Sequence, residues 1–172
     1  IIIWVVVHLL NFDINATIDG LITPLLSASS DSLVASLVFV LLTCIMWFFG
    51  IHPQILATIL TPIWLVNAQE NMNAAVSGMP IPHTGVEAFI FTFIWLGGGG
   101  GTLALTLLMC FSKSEFLKKL GRLSIVPGFF NINEPVLFGT PIVLNPLLII
   151  PFTVAPIITV LITYFAFQIG LV

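Results

Sequence analysis

Long apolar runs, separated by short polar segments, make up most of this chain and predict helices that cross a membrane. A helix needs about 20 residues to cross the hydrocarbon core of a bilayer, which is about 30 Å thick. Residues 32–49 hold no charged side chain and predict one spanning helix, and residues 86–111 and 152–169 predict two more. Residues 1–10 are also apolar and predict the end of a further spanning helix.

Residues 14–26 have a different pattern, with apolar residues at helical spacing on one face and polar residues on the other. Such a segment is typical of an amphipathic helix that lies in the membrane interface. Pro24 and the absence of Lys and Arg from the segment argue against this interpretation. With the spanning runs, the pattern predicts an all-α polytopic membrane protein with transmembrane helices, re-entrant hairpins and an interfacial helix.

Proline and glycine interrupt the middle of the chain. Residues 53–66 are apolar but short for a full span, so they predict a half-helix. Residues 67–85 are polar, contain Gly78, and predict a loop. The run Gly97–Gly101 lies inside the predicted 86–111 helix. Because each glycine costs a helix about 1 kcal/mol relative to alanine, the run predicts a local break or a closely packed neighbouring backbone.

Glu134 is the only charged residue in the last fifty residues, a stretch that also carries six prolines. Non-helical backbone at membrane depth is tolerated only where protein or a polar cavity surrounds it. We therefore predict a re-entrant hairpin over residues 128–151 with Glu134 near its tip. Because proline disfavours helix in the residue before it, Pro135 predicts an extended backbone at Glu134.

Composition and charge exclude a soluble domain. Apolar residues make up 59% of the sequence and charged residues 6%, and the mean hydropathy is +1.20, whereas soluble proteins average about 25% charged residues. By the positive-inside rule, residues 113–122 are predicted to form a cytoplasmic loop, so the 86–111 helix begins on the far side. This loop holds all four basic residues, Lys113, Lys118, Lys119 and Arg122.

No motif in the sequence predicts a cofactor, a metal or a nucleic acid partner. It has no phosphate-binding or dinucleotide-binding glycine motif, no zinc-ligand spacing and no basic patch. Cys44 and Cys110 lie in apolar runs and are predicted to be inert thiols.

Glu134 is the first candidate for function. Inserting a carboxylate deep in a membrane costs about 2.5 to 3.5 kcal/mol, so such residues usually face a cavity and serve a function. The alternative is that Glu134 is protonated, or lies at the interface and caps backbone amides. His52 is the second candidate, because it separates a spanning helix from a half-helix, where transporters place their substrates. The alternative for His52 is a satisfied packing group.

The remaining candidates are polar or aromatic neighbours. Asn131 and Asn133 flank Glu134, and Gln54 follows His52, so all three could hydrogen-bond a ligand. Trp47, Trp64 and Trp95 could stack on a sugar ring, although tryptophan is also common at membrane interfaces. We place Trp47 first because it is close to His52. His83 is a weaker binding candidate. Glu70 is predicted to lie in a solvated loop or at the lip of the cavity.

Two motifs resemble a known family. Residues 130–139, Phe-Asn-Ile-Asn-Glu-Pro-Val-Leu-Phe-Gly, and residues 141–146 resemble the membrane component, enzyme IIC, of the lactose/cellobiose (diacetylchitobiose) class of the bacterial sugar phosphotransferase system. The Trp-Phe-Phe-Gly-Ile-His run at residues 47–52 is similar to the histidine motif of that family. The resemblance implies that residues 1–172 are part of the substrate-binding domain, with the N-terminal dimerisation helices and the C-terminal end absent.

The resemblance also implies a mechanism. A disaccharide would bind in an intramembrane cavity of a multi-pass protein in the bacterial cytoplasmic membrane, and its 6-hydroxyl would be phosphorylated by a phosphocysteine on a partner, enzyme IIB. Glu134 would accept a hydrogen bond from that hydroxyl and act as general base, and His52 would orient the hydroxyl or bind the sugar. The whole protein would be a homodimer through helices outside this chain.

The main alternative is a secondary transporter driven by protons or sodium, with Glu134 as the coupling carboxylate. The composition is also compatible with an intramembrane enzyme or a structural membrane subunit. Phosphotransfer predicts phosphorylated sugar as the product of uptake, whereas secondary transport predicts unmodified sugar and dependence on an ion gradient.

Overall fold

The computed structural model describes residues 31–171, and every regular element in this part of the chain is a helix. The predicted helix end at residues 1–10 and the predicted interfacial helix at residues 14–26 lie outside the described residues. The elements follow in the order α1 Leu33–Phe48, α2 Gln54–Val76, a π-helix Phe89–Ile94, α3 Leu103–Cys110, α4 Glu115–Phe129, α5 Glu134–Gly139 and α6 Ile149–Gln168.

Helix α1 agrees with the helix predicted over residues 32–49. It begins after Ser32, whose side-chain oxygen accepts a hydrogen bond of 3.1 Å from the backbone N–H of Ala35, as expected of an N-cap serine. It ends before Gly50, which has a φ of +71°. Helix α1 packs along α6 and directs Trp47 into the core, where only 4% of that residue is exposed.

Helix α2 differs from the prediction. A single helix of 23 residues runs through Pro62 to Val76, so the half-helix at 53–66 was wrong, and the loop predicted at 67–85 is found only over residues 77–85. Tertiary hydrogen bonds explain the difference. The side-chain amide of Asn67 donates to the carbonyl of Gly85 at 2.7 Å, and Asn71 donates to the carbonyl of His83 at 2.8 Å while accepting from its N–H at 3.0 Å. These bonds use polar residues of α2 to hold the following loop.

The segment predicted as one helix over residues 86–111 is broken at the glycine run. The π-helix ends at Ile94, α3 begins at Leu103, and the chain between them is non-helical. Gly97, Gly98, Gly100 and Gly101 have positive φ angles, which other residues rarely adopt. The local break is therefore confirmed, and the continuous helix was wrong. We call residues 95–102 the glycine segment.

Most of the predicted loop at residues 113–122 is helical, because α4 begins at Glu115. The Ser114 side chain accepts from the backbone N–H of Leu117 at 3.5 Å, and Lys118 pairs with Glu115 at 2.9 Å. A helix can pack closely against α3 here because Gly121 has no side chain. A Cβ at that position would lie 2.6 Å from the backbone nitrogen of Cys110.

Glu134 begins the short helix α5, so the extended conformation predicted from Pro135 was wrong. Proline is tolerated in the first turn of a helix because the N–H there has no intrahelical partner, and Pro135 therefore starts α5 rather than preventing it. Helix α6 likewise begins at Ile149, two residues before Pro151, and continues through Pro156.

Helix α6 is the one described helix that is long and apolar enough to cross a membrane. It covers 20 residues with a mean hydropathy of 2.1 in its most apolar window. Helix α1 is also apolar but has 16 residues. The core between the helices includes a group of aromatic rings from α1, α2, the π-helix and the glycine segment: Phe39, Trp64, Phe91 and Trp95.

Candidate functional site

A cavity of about 170 Å³ lies where the end of α1, the start of α2, the glycine segment and the start of α5 meet. It brings together six of the seven residues that the sequence predicted for a site, although up to 87 positions of sequence separate them. These six are Trp47, His52, Gln54, Asn131, Asn133 and Glu134. Pro53, Ala57, Phe91, Trp95 and Gly99 complete the lining.

His52 and Glu134 face each other in the cavity. The Nε2 atom of His52 lies 3.6 Å from Oε1 of Glu134, and the two side chains are 54% and 42% exposed. The Nδ1 atom of His52 accepts a hydrogen bond of 3.2 Å from the backbone N–H of Gln54. In a neutral imidazole one nitrogen accepts and the other carries the proton, so this bond assigns the proton to Nε2, the nitrogen nearest Glu134. The backbone of Gln54 therefore serves the site in addition to its side chain, which lines the cavity.

The second carboxylate oxygen of Glu134, Oε2, is buried and has no hydrogen-bond partner among the described residues. Leaving a buried acceptor unpaired costs about 1 to 3 kcal/mol, more if it is charged. A ligand with hydroxyl groups could satisfy it, because a hydroxyl can donate to one group and accept from another.

Asn131 and Asn133 use their side chains mainly to hold the glycine segment. Asn131 donates to the carbonyl of Phe91 at 2.7 Å and accepts from the N–H of Gly97 at 3.1 Å. Asn133 donates to the carbonyl of Gly99 at 2.7 Å, and it is only 3% exposed. Both residues line the cavity as predicted, but Asn133 also donates to the hydroxyl of Thr102 at 3.0 Å and has no donor left for a ligand, whereas Asn131 uses one of the two N–H groups of its amide.

The glycine segment passes so close to the site that side chains would not fit. A Cβ at Gly98 would lie 2.5 Å from Cγ of Asn133, and a Cβ at Gly99 would lie 2.7 Å from Nε1 of Trp47. Real Cβ atoms essentially never come this close. Gly99 therefore lines the cavity and Gly98 packs against the lining residue Asn133, a role that the glycine run predicted only as close packing or a break.

Trp47 contacts the imidazole of His52 edge-on, with ring centroids 4.8 Å apart and planes at 67°. Phe138 lies on another side of Trp47 at 6.5 Å. Edge-to-face aromatic pairs at these distances are favourable, so Trp47 helps to hold the imidazole beside Glu134.

His83 is the predicted site residue that the structure does not bring into the cavity. Its Nδ1 lies 3.0 Å from Oδ2 of Asp31, and its Nε2 lies 2.6 Å from Oε2 of Glu70. The hydrogen bond to Glu70, together with the nearby Asp31, raises the pKa of His83 despite its partial desolvation. Glu70, which we expected in a loop or at the lip of the cavity, is on α2 and pairs with His83. We call Asp31, Glu70 and His83 the histidine clamp.

The other carboxylate oxygen of Asp31 accepts hydrogen bonds of 2.6 Å from the backbone N–H groups of both Thr84 and Gly85. The clamp therefore joins the start of α1, the middle of α2 and the loop after it.

Within residues 31–171, no group of three or more His, Cys, Asp or Glu side chains is arranged to hold a metal ion. Both cysteines are free thiols, and Cys44 is buried with its sulfur 3.7 Å from the carbonyl of Phe152. Sequence reasoning overlooked Phe91 and Gly99 as lining residues, and it considered Trp95 only for stacking. No local sequence signal marks them, because Phe91 lies in the π-helix and only the tertiary arrangement brings it and the glycine segment beside α1 and α5.

A family model, curated relatives and a solved structure all indicate the same protein family. A family model described as phosphotransferase system, EIIC matches residues 1–156. The oligo-beta-mannoside-specific EIIC component of Bacillus subtilis (strain 168) is 40% identical over 152 residues, which cover 87% of this chain and 34% of that protein. The cellobiose-specific EIIC component of Lactococcus lactis subsp. lactis (strain IL1403) is 36% identical, over 83% of this chain and 34% of that protein.

The chain is also similar to a solved structure. The crystal structure of the transporter ChbC, the IIC component from the N,N'-diacetylchitobiose-specific phosphotransferase system, matches with a TM-score of 0.81 and 41% sequence identity. The match covers 99% of this chain and 40% of that chain. The chain thus spans about a third of the length of the curated relatives it matches.

Proposed function

Because this chain belongs to the phosphotransferase system EIIC family, we propose that it forms the sugar-binding part of a membrane permease whose substrate is a disaccharide. The named relatives act on cellobiose and oligo-beta-mannosides, and the matching structure is specific for N,N'-diacetylchitobiose. The observation that carries the proposal is the buried, unpartnered Oε2 of Glu134 in a cavity where His52 lies 3.6 Å from Oε1. This geometry suits a hydroxylated ligand.

The proposed reaction transfers a phosphoryl group to the 6-hydroxyl of the sugar. Glu134 accepts the hydroxyl proton as the hydroxyl oxygen forms a bond to phosphorus, and the S–P bond of the donor phosphocysteine breaks to release a thiolate. A general base must lie within about 2.6 to 3.2 Å of the group it deprotonates, and Oε2 is free to do so. The Nε2–H of His52, held by the Gln54 bond to Nδ1, orients the same hydroxyl or a neighbouring one.

The phosphocysteine belongs, in this proposal, to a partner protein, enzyme IIB. Cys44 is buried with its thiol against a backbone carbonyl, and Cys110 lies at the end of α3, away from the residues that line the cavity. Neither is placed to carry a phosphoryl group to the sugar. The phosphoryl donor is therefore another domain or chain, and we propose that it approaches the cavity from the cytoplasm.

The proposed arrangement in the membrane follows from the positions of the basic residues and of Glu134. The protein would be a multi-pass protein of the bacterial cytoplasmic membrane, with the basic residues of 113–122 on the cytoplasmic side. Residues 128–151, including α5, would form a re-entrant segment that brings Glu134 to membrane depth beside the cavity. The complete permease would be a homodimer through helices outside residues 1–172, as the family resemblance implies.

Product analysis in sealed vesicles tests the proposal. The full-length permease, supplied with phosphorylated enzyme IIB, is expected to release disaccharide 6-phosphate inside, with no need for a proton or sodium gradient. Release of unmodified sugar that stops when the gradient is collapsed would instead support a secondary transporter that uses Glu134 for coupling.

The variant Glu134→Gln tests the role of the carboxylate. We expect the phosphorylation rate to fall about 10²- to 10⁴-fold, the usual contribution of a general base, while sugar binding weakens much less. Glu87→Gln is the matched control, because Glu87 is exposed and does not line the cavity. Near-normal phosphorylation by Glu134→Gln would refute the base role.

A further inference from the structure

Trp95 lines the cavity, and its indole carries a polar atom that the proposed mechanism does not use. Trp95 is 7% exposed and belongs to the cavity lining. Its Nε1 is buried and has no hydrogen-bond partner among the residues described. The indole N–H can only donate, and tryptophan N–H groups usually find a partner when buried.

The surrounding rings hold the Trp95 indole in one orientation. Phe39 stacks on it with centroids 5.5 Å apart and planes at 28°. Phe91 meets it edge-on, with centroids 4.8 Å apart and planes at 78°. One face of the indole is therefore covered by protein, and the N–H is the group that remains for a ligand. Stacking on a sugar, which the sequence suggested for this residue, needs a free ring face, and Phe39 already covers one face of the indole.

Two residues of the cavity lining thus carry a buried polar atom without a described partner, one a donor and one an acceptor: Nε1 of Trp95 and Oε2 of Glu134. A cation could satisfy the carboxylate but not the indole, and a simple anion could satisfy the indole but not the carboxylate. Hydroxyl groups both donate and accept. A ligand rich in hydroxyls is therefore the chemical class that satisfies both atoms.

We propose that Trp95 donates a hydrogen bond from Nε1 to a hydroxyl oxygen of the bound sugar and is a specificity-determining residue of the cavity. This inference rests on the proposed function, because it assumes that the cavity holds the sugar. Trp95 would select a particular sugar oxygen, while Glu134 acts on the hydroxyl that is phosphorylated. Sites built to hydrogen-bond a substrate hydroxyl reject analogues that lack it.

The variant Trp95→Phe in the full-length permease removes the N–H and keeps an aromatic ring. We expect its disaccharide dissociation constant, measured by isothermal titration calorimetry, to rise about three- to tenfold, which corresponds to the loss of one neutral hydrogen bond. Trp64→Phe is the matched control. Trp64 belongs to the same aromatic group, 5.5 Å from Phe39, and is 4% exposed, but it does not line this cavity. The control is expected to bind sugar with unchanged affinity.

An isosteric replacement separates the hydrogen bond from packing. Benzothienylalanine at position 95 keeps the shape of tryptophan and has sulfur in place of the N–H, so it should fold even where the Trp95→Phe protein does not. We expect the same loss of about three- to tenfold. Affinity equal to that of the unaltered protein would overturn the inference.

A panel of disaccharides, each lacking one hydroxyl, identifies the accepting atom. The disaccharide that lacks the accepting hydroxyl should bind the unaltered protein and the position-95 variant equally well, because neither complex can form the hydrogen bond. If every deoxy sugar loses the same additional affinity in the variant, no sugar hydroxyl accepts from Trp95 and the inference fails. Failure of the unaltered permease to bind any disaccharide would instead refute the proposed function.

Discussion

At the scale of single residues, two histidines in this chain have the same chemical group but different surroundings. His52 has one carboxylate neighbour at 3.6 Å and accepts a backbone hydrogen bond through Nδ1. His83 lies between two carboxylates, Asp31 at 3.0 Å and Glu70 at 2.6 Å. With an acceptor at each ring nitrogen, the charged form of His83 can donate to both. His83 is therefore suited to hold the fold together, whereas His52 keeps a donor directed toward the cavity.

His83 should make stability depend on pH. Its pKa is raised from 6.5, mainly by the hydrogen bond to Glu70, so the folded protein holds this proton more tightly than the unfolded chain. The stabilisation is complete below the pKa of the unfolded chain and is lost as the pH rises through the raised pKa of the folded state. We expect the thermal unfolding midpoint of the full-length protein in detergent to fall as the pH rises above 6.5.

The variant His83→Gln should have a lower midpoint at acidic pH and lose most of this pH dependence, since glutamine does not titrate. His52→Gln serves as the control and should keep the pH dependence of the unaltered protein. Identical pH profiles for His83→Gln and the unaltered protein would show that the histidine clamp is not the source.

The residues of the cavity could largely be predicted from the sequence, but their roles could not. Glu134 and His52 stood out because charge and polarity are rare in apolar runs. The sequence does not show that Asn133 would spend its donor on the carbonyl of Gly99. It also does not show that His83 would meet Asp31, 52 residues away. Such partners depend on the tertiary arrangement, which no local pattern contains.

At the scale of elements, the glycine segment is the part of the fold on which the cavity depends most. It ends the π-helix, starts α3 and places its backbone against Trp47 and Asn133. Side chains at these positions would push on the residues that hold the imidazole and the wall of the cavity. A side chain at Gly99 is therefore expected to lower activity, whereas Gly97, Gly98 and Gly100 have positive φ angles that would strain any other residue.

The variant Gly99→Ala tests this expectation. Its φ is not in the left-handed region, so the added methyl acts only through its contact 2.7 Å from Nε1 of Trp47. Displacement of Trp47 would move the imidazole of His52, which it contacts. Because a misplacement of about 1 Å can lower a rate about 10²-fold, we expect sugar phosphorylation to fall on the order of ten- to a hundredfold.

Gly128→Ala is the matched control, because Gly128 lies in α4 and an added Cβ meets only Leu103 at an ordinary 3.7 Å. Alanine is favoured over glycine in helices by about 1 kcal/mol, so this variant should be as stable as the unaltered protein or slightly more so, with unchanged phosphorylation. Equal activity of Gly99→Ala and Gly128→Ala would mean that the glycine segment does not shape the site.

The sequence predicted which segments are helical better than where they begin and end. Uncharged apolar runs located α1 and α6, and the glycine run predicted the break before α3. The errors occurred where tertiary contacts or capping override local preference. Asn67 and Asn71 extend α2 by bonding the next loop, and Ser114 starts a helix in a segment that its charges had predicted as a loop.

In the molecule as a whole, the exposed face of α6 is apolar, like the face of α6 that packs on α1. Val154, Ile158, Ile162 and Phe165 recur at helical spacing and are between 46% and 66% exposed. Water would disfavour such a stripe, whereas a bilayer does not. In the proposed orientation this face meets lipid, and the opposite face of α6 packs on α1.

The same orientation makes a prediction about the two ends of the described helices. The loop at residues 77–86 should face the outside and the start of α4 the cytoplasm, because the basic residues lie on α4 and the segment just before it. Met79 is 60% exposed and Lys119 is also exposed, so single cysteines at these positions, Met79→Cys and Lys119→Cys, can report the side. Cys44→Ala and Cys110→Ala, with any cysteine outside residues 1–172 also replaced, remove the native thiols first.

In intact spheroplasts, a membrane-impermeant maleimide should label Met79→Cys and should label Lys119→Cys only after permeabilisation. A protein without cysteines gives the background. The reverse labelling would place the basic residues outside and the histidine clamp in the cytoplasm. An enzyme IIB that approaches from the cytoplasm would then meet the wrong face of the permease, so the result would contradict the phosphotransfer mechanism as well as the topology. The experiment therefore links the charge distribution of the chain to the direction in which the phosphoryl group must travel.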